Sequence, residues 1–94
     1  MQIEFTAQEP PYRTGTLTGL TLTEVQRMLP GIQPDTRTSA NHKISVMWRF
    51  LANGKPCGVW NYCRGYEMRG EFSTFGPDAA FETLFGNAYT SLQT

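Results

Sequence analysis

The sequence predicts an α+β domain: a small antiparallel sheet in β-α-β-β-β-α order, a central Asn-Gly hairpin and two short helices. Three observations carry this. The alternating run Ile44-Ser45-Val46-Met47-Trp48-Arg49-Phe50 is followed by Asn53-Gly54, the favoured pair for a tight hairpin, and a return run from Cys57 to Cys63. Thr21-Leu22-Thr23-Glu24 matches a capping box. Gly76-Pro77-Asp78 opens a second helix, with Pro fitting the first helical position and Asp complementing the dipole. With 94 residues there is room for a single domain, 1–94, and one small core.

Residues 1–20 read as strand and loop. Ile3 and Phe5 alternate with Glu4 and Thr6 until Pro10-Pro11 ends the strand, and Tyr12 to Gly19 is a Thr- and Gly-rich loop. Residues 21–86 hold the helix, a three-stranded meander and the second helix. In the first helix, Leu22–Leu29, the Thr21 hydroxyl accepts from the Glu24 amide and Glu24 reaches back. Leu20 and Val25 form a hydrophobic staple, Leu22, Val25, Met28 and Leu29 share a face, and Pro30-Gly31 is the stop. Ile32 to Asn41 is a polar connecting loop.

A two-residue turn at Asn53-Gly54 sets the hairpin register. Phe50 then faces Cys57, Trp48 faces Val59, Val46 faces Asn61 and Ile44 faces Cys63, which makes the core side. The other side pairs Met47 with Trp60, Arg49 with Gly58, Ser45 with Tyr62 and Lys43 with Arg64. Gly65 to Gly70 is a turn and Glu71 to Phe75 the third strand. Ala80, Phe81, Leu84 and Phe85 form the apolar face of the last helix, and Gly86 ends it in a left-handed conformation. Asn87 to Thr94 is a tail, with Tyr89 and Leu92 available to anchor it.

Composition narrows the function. Formal net charge is zero, so no global field draws the chain to long nucleic acid or to a membrane. The charge is unevenly placed: from Thr36 to Gly70 six basic residues face the single acid Glu67, a net +5 balanced by −5 elsewhere. No apolar run approaches the roughly 20 residues of a membrane span, and Met1-Gln2-Ile3-Glu4 lacks a signal peptide's basic start. The expectation is a soluble, cytoplasmic domain.

Chemistry is scarce. Cys57 and Cys63 share one predicted strand about 20 Å apart, at about 3.3 Å per residue, which forbids a disulfide. One His and two distant Cys cannot make a structural zinc site, so neither metal nor cofactor is expected. The acids are scattered, and Gly15-Thr16-Leu17-Thr18-Gly19 lacks the lysine of a phosphate loop. A Cys63–His42 nucleophilic pair, acting on a nucleotide or peptide, is the enzymatic alternative.

What remains is the outer face of the hairpin. Lys43, Met47, Arg49, Trp60, Tyr62 and Arg64 form the candidate binding surface, with the Arg37–Asn41 loop as a lid. Cations beside aromatics suit base stacking and phosphate contact, and equally suit protein interfaces. The bland alternative is that Trp60 and Tyr62 only pack the second face.

Several residues in order resemble a group of small, mostly uncharacterised proteins of tailed bacteriophages. They are Gly15-Thr16-x-x-Gly19, Lys43 with Trp48, Trp60-Asn61-Tyr62, Ser73-x-x-Gly76-Pro77 and Leu84-Phe85-Gly86. That group has Asp between the aromatics and often Lys after them, where this chain has Asn61 and Cys63-Arg64. The resemblance implies a phage gene acting in the host bacterial cytoplasm and, by analogy, a non-catalytic counter-defence protein. Such a protein would inhibit a host immune component, either by sequestering a small anionic signalling nucleotide or by blocking a host defence protein. A homo-oligomer is expected, and a structural virion component is a further alternative.

Overall fold

In the computed structural model, which describes residues 1–36, 44–62 and 71–92, the hairpin is the centre of the sheet. Strands β3 (Ile44–Ala52) and β4 (Lys55–Tyr62) meet at Asn53-Gly54, whose φ angles of 51° and 83° are those of a type I′ turn. Phe50 pairs with Cys57, Trp48 with Val59 and Val46 with Asn61, as the turn dictates. The register then slips between Ile44 and Val46, so Ile44 pairs with Tyr62 rather than Cys63. An extra residue on one strand at a hairpin's open end makes a bulge there. The expected pairing of Lys43 with Arg64 and the turn at 65–70 lie outside the described residues.

Four more strands extend the sheet to six: β1 (Ile3–Phe5), β2 (Gly15–Thr18), β5 (Glu71–Phe75) and β6 (Tyr89–Ser91), in the order β1-β3-β4-β5-β2-β6. Neighbours are antiparallel throughout. Two of these strands correct the sequence reading. The sequence pattern predicts a loop at Gly15–Thr18 and a tail at Tyr89–Ser91, yet β2 pairs with β5 on one side and β6 on the other. Gly15 is a strand residue for a steric reason. Any Cβ there would come within 2.5 Å of the Tyr89 ring and 2.8 Å of the Thr74 hydroxyl.

Both helices lie on the core face. Helix α1 (Leu22–Met28) starts with the expected capping box: Glu24 N–H donates to the Thr21 hydroxyl, and Thr21 N–H donates to Glu24 Oε1. Val25 and Leu29 are buried against the sheet, whereas Leu22, assigned to that face, is 49% exposed. Gln26 closes the other end of the helix. Its amide accepts from the Trp48 indole at 3.0 Å and donates to the Ile32 carbonyl at 3.0 Å. Helix α2 (Asp78–Phe85) begins one residue later than expected, with Pro77 as the N-cap. It buries Ala80, Phe81 and Phe85. Gly86 follows with φ 57° and ψ −131°, a positive-φ stop outside the left-handed helical well, and opens a 3-10 turn, Gly86–Ala88.

The core is one cluster centred on Trp48, Phe50, Val59, Leu17 and Phe81, all fully buried. Tyr89 stacks on Phe81 at 5.3 Å, and its hydroxyl donates to Asp78, as the Ser91 hydroxyl does at 3.1 Å. These contacts turn the expected tail into an edge strand.

Candidate functional site

β1 forms one edge of the sheet and β2 lies next to the other, so residues 6–14 must cross three strands. They do so on the face opposite the helices. Arg49 of β3, Gly58 of β4 and Phe75 of β5 are register partners, forming a line across that face. The arm follows the line: Arg49 donates to the Ala7 carbonyl at 3.5 Å, Pro10 lies on Gly58, and Tyr12 meets Phe75 edge-on at 5.2 Å. Thr14 anchors the far end by donating from its amide to the Thr74 carbonyl at 2.7 Å.

That crossing redefines the expected binding surface. Trp60, placed there as an exposed aromatic, is 5% exposed and flanked by Met47 on β3 and Ser73 on β5. A central position in a six-stranded sheet leaves little of an indole for a partner. Arg49, placed there as a free cation, has an 11% exposed side chain and is engaged within the chain. Its guanidinium pairs with Asp35 at 2.8 Å and reaches Glu9 at 3.5 Å. Asp35 itself forms an isolated bridge with Met47, exchanging backbone hydrogen bonds of 2.7 and 2.9 Å. Met47 is half-buried between that bridge and Trp60. Tyr62 is placed by its backbone in β4, and its side chain lies outside the described residues, as do Lys43, Arg64 and the 37–41 lid. Within the expected constellation, Trp60 is packed in the sheet and Arg49 ties the arm to the 32–36 loop.

The structure does open a groove at the turn end of the hairpin. Tyr12 and Thr14 of the arm form one wall, Lys55 and Pro56 of β4 another, and Phe75, Gly76 and Pro77 the third, around about 320 Å³. Tyr12 is 64% exposed, so its ring is available above Phe75. The Thr14 hydroxyl accepts from Gly76 N–H at 3.1 Å and faces its carbonyl at 3.3 Å, which fixes the two sides against each other. Lys55 is exposed, and its ammonium makes no ion pair among the described residues. On its other side a second hollow of about 310 Å³ runs between the hairpin turn and α2, lined by Met1, Asn53, Ala79 and Thr83. Lys55 and Pro77 belong to both.

None of these residues was expected at a site. One signal was present: a glycine on the outer face of a central strand marks the close approach of another chain segment. Gly58 was that mark, and Pro10-Pro11 upstream the rigid segment that answers it.

Among the described residues the groove's lining is mostly apolar, with Lys55 as its cation. Behind it, Cys57 is buried and its thiol pushed up to about 11, mainly by desolvation, so it is a poor nucleophile. His42 and Cys63, the alternative catalytic pair, lie outside the described residues. Among the described residues no cluster of His, Cys, Asp and Glu could hold a metal ion, and no helix is long and apolar enough to cross a membrane. Compared with protein-family models, curated proteins and solved structures, the chain matches none.

Proposed function

We propose that this domain is a non-catalytic binding protein whose contact surface is the Tyr12–Lys55–Phe75 groove, and that its partner is a protein. The observation that carries this is the exposed Tyr12 ring held edge-on to Phe75 beside Lys55, which has no ion pair among the described residues. Amphipathic aromatics on a fixed frame are favoured anchors at protein interfaces. A signalling nucleotide fits less well. Several phosphates call for several converging donors, and among the described residues the groove offers Lys55 alone. The resemblance to small phage proteins supports a counter-defence setting, with a host immune component as the protein that is blocked.

The test uses the wild-type chain and Tyr12→Ser, a change at an exposed position that should leave the fold intact. A stoichiometric protein recovered from host lysate by the wild type and lost with Tyr12→Ser is the expected result. Equal recovery by both removes the groove from the reading. A thermal-shift panel of cyclic di- and trinucleotides and NAD-derived nucleotides runs beside it. A large stabilisation there, with the ligand released intact, would replace the protein partner with a nucleotide.

A further inference from the structure

Resting on the groove reading above, we infer that the partner docks through an extended segment in which an acidic residue sits between two apolar ones. The argument begins with the position of Lys55. It and Pro77 are common to the two hollows, so anything filling both must pass over these two residues, of which Lys55 carries the charge. Each hollow, at about 320 and 310 Å³, lies at the lower end of the range for ligand pockets, large enough to take a side chain of a partner. The first is walled by the Tyr12 and Phe75 rings and by Pro56, a setting for an aromatic or proline side chain. The second is lined by Ala52, Ala79, Ala80 and Met1 beside Asn53 and Thr83, a mostly apolar setting for an aliphatic one.

Charge fixes what lies between them. The acid next in sequence to Pro77 is Asp78, and its carboxylate is already occupied by the Tyr89 and Ser91 hydroxyls. Lys55 therefore has no described internal acid to neutralise it. A carboxylate arriving between two apolar anchors would be shielded from water on both sides, which strengthens its pairing with the ammonium. A basic residue at the same place would be repelled. The pair of hollows thus selects a sequence pattern, apolar–acidic–apolar, rather than mere hydrophobicity.

The experiment pans a displayed library of random dodecapeptides against the full-length chain, Lys55→Glu and Tyr12→Ser. The wild type should enrich peptides with Asp or Glu between apolar residues. A synthetic peptide of that kind should bind Lys55→Glu at least roughly tenfold more weakly, and replacing its acid with Lys should restore binding to that variant. Enriched peptides without an acid, or binding indifferent to the charge exchange yet lost in Tyr12→Ser, would overturn this inference and leave the groove reading standing. Enrichment of no peptide, or binding unchanged in Tyr12→Ser, would overturn both.

Discussion

Pro10 lies so close on Gly58 that a Cβ at the glycine would sit 2.9 Å from the proline Cγ. The contact is between a rigid ring and a central strand, so neither side can yield by a rotamer change. It sets the path of the arm, and through the arm the position of Tyr12 over Phe75. Gly58→Ala should therefore lift the arm at a cost of about 1–3 kcal/mol. Urea unfolding reads the loss, and amide shifts confined to residues 6–14 and 72–76 read its place. A variant of unchanged stability would mean that the arm does not cross at Gly58.

Trp48 and Trp60 occupy opposite faces of the hairpin, and both are buried, at 0% and 5% exposure. Trp48 sits in the helix-covered core with its indole N–H satisfied by Gln26. Truncating either to alanine should cost about 3–5 kcal/mol, the usual range for a buried aromatic. The sequence alone suggested a difference, with Trp60→Ala folding normally and losing only binding. Equal destabilisation in urea is now the expected outcome. A fully stable Trp60→Ala would return that indole to the surface.

How much was legible depends on how local each signal was. The type I′ turn, the alternation through Trp48 and the Thr21–Glu24 box act within a few residues, and each stands in the fold as read. Strands β2 and β6 were missed because their pairing is with chain more than 50 residues away, and because Gly15 argues against a strand until Tyr89 needs its space. Alternation correctly put Trp60 opposite the core face but cannot say whether that face is covered. The groove was illegible for the same reason: Tyr12, Lys55 and Phe75 meet only after the arm has crossed. Several residues behind the phage resemblance have folding work to do here. Gly76 leaves room for Cys57 and Phe81, where a Cβ would lie 2.7 and 2.9 Å from them, and Gly86 ends α2.

Arg49 should prove a structural cation. Its 2.8 Å pair with Asp35 is largely shielded, with side chains 11% and 22% exposed, whereas Glu9 at 3.5 Å is 77% exposed. Arg49→Met should cost about 1–3 kcal/mol, the range for charged hydrogen bonds. Glu9→Gln should change stability by less than about 1 kcal/mol, as solvated pairs do. Hydrogen exchange of the Asp35 and Met47 amides, which bond to each other's carbonyls, should accelerate in the first variant alone. Slow exchange in Arg49→Met would show that the bridge stands without the guanidinium.

Alkaline pH should unfold the domain through two buried acids. Burial first, then the Asp78 hydrogen bond and charge, push the Tyr89 hydroxyl up to about 12 from an ordinary 10, and desolvation pushes Cys57 up to about 11 from 9. Above their ordinary values the unfolded chain releases protons that the folded chain retains, so stability falls as pH rises. It is complete below about pH 9 and declines toward pH 12, Cys57 acting first and Tyr89 from pH 10 upward. Tyr89→Phe removes the second group. At pH 8 it should be less stable by about 1 kcal/mol, for the lost hydroxyl bond to Asp78. Between pH 10 and 12 it should lose less stability than the wild type, so the two unfolding curves converge. Urea midpoints at pH 8, 9.5 and 11 suffice for the comparison. A gap that stays constant above pH 10 would show that the Tyr89 hydroxyl titrates as it does in the open chain, and the anchoring of β6 through Asp78 would fall with it.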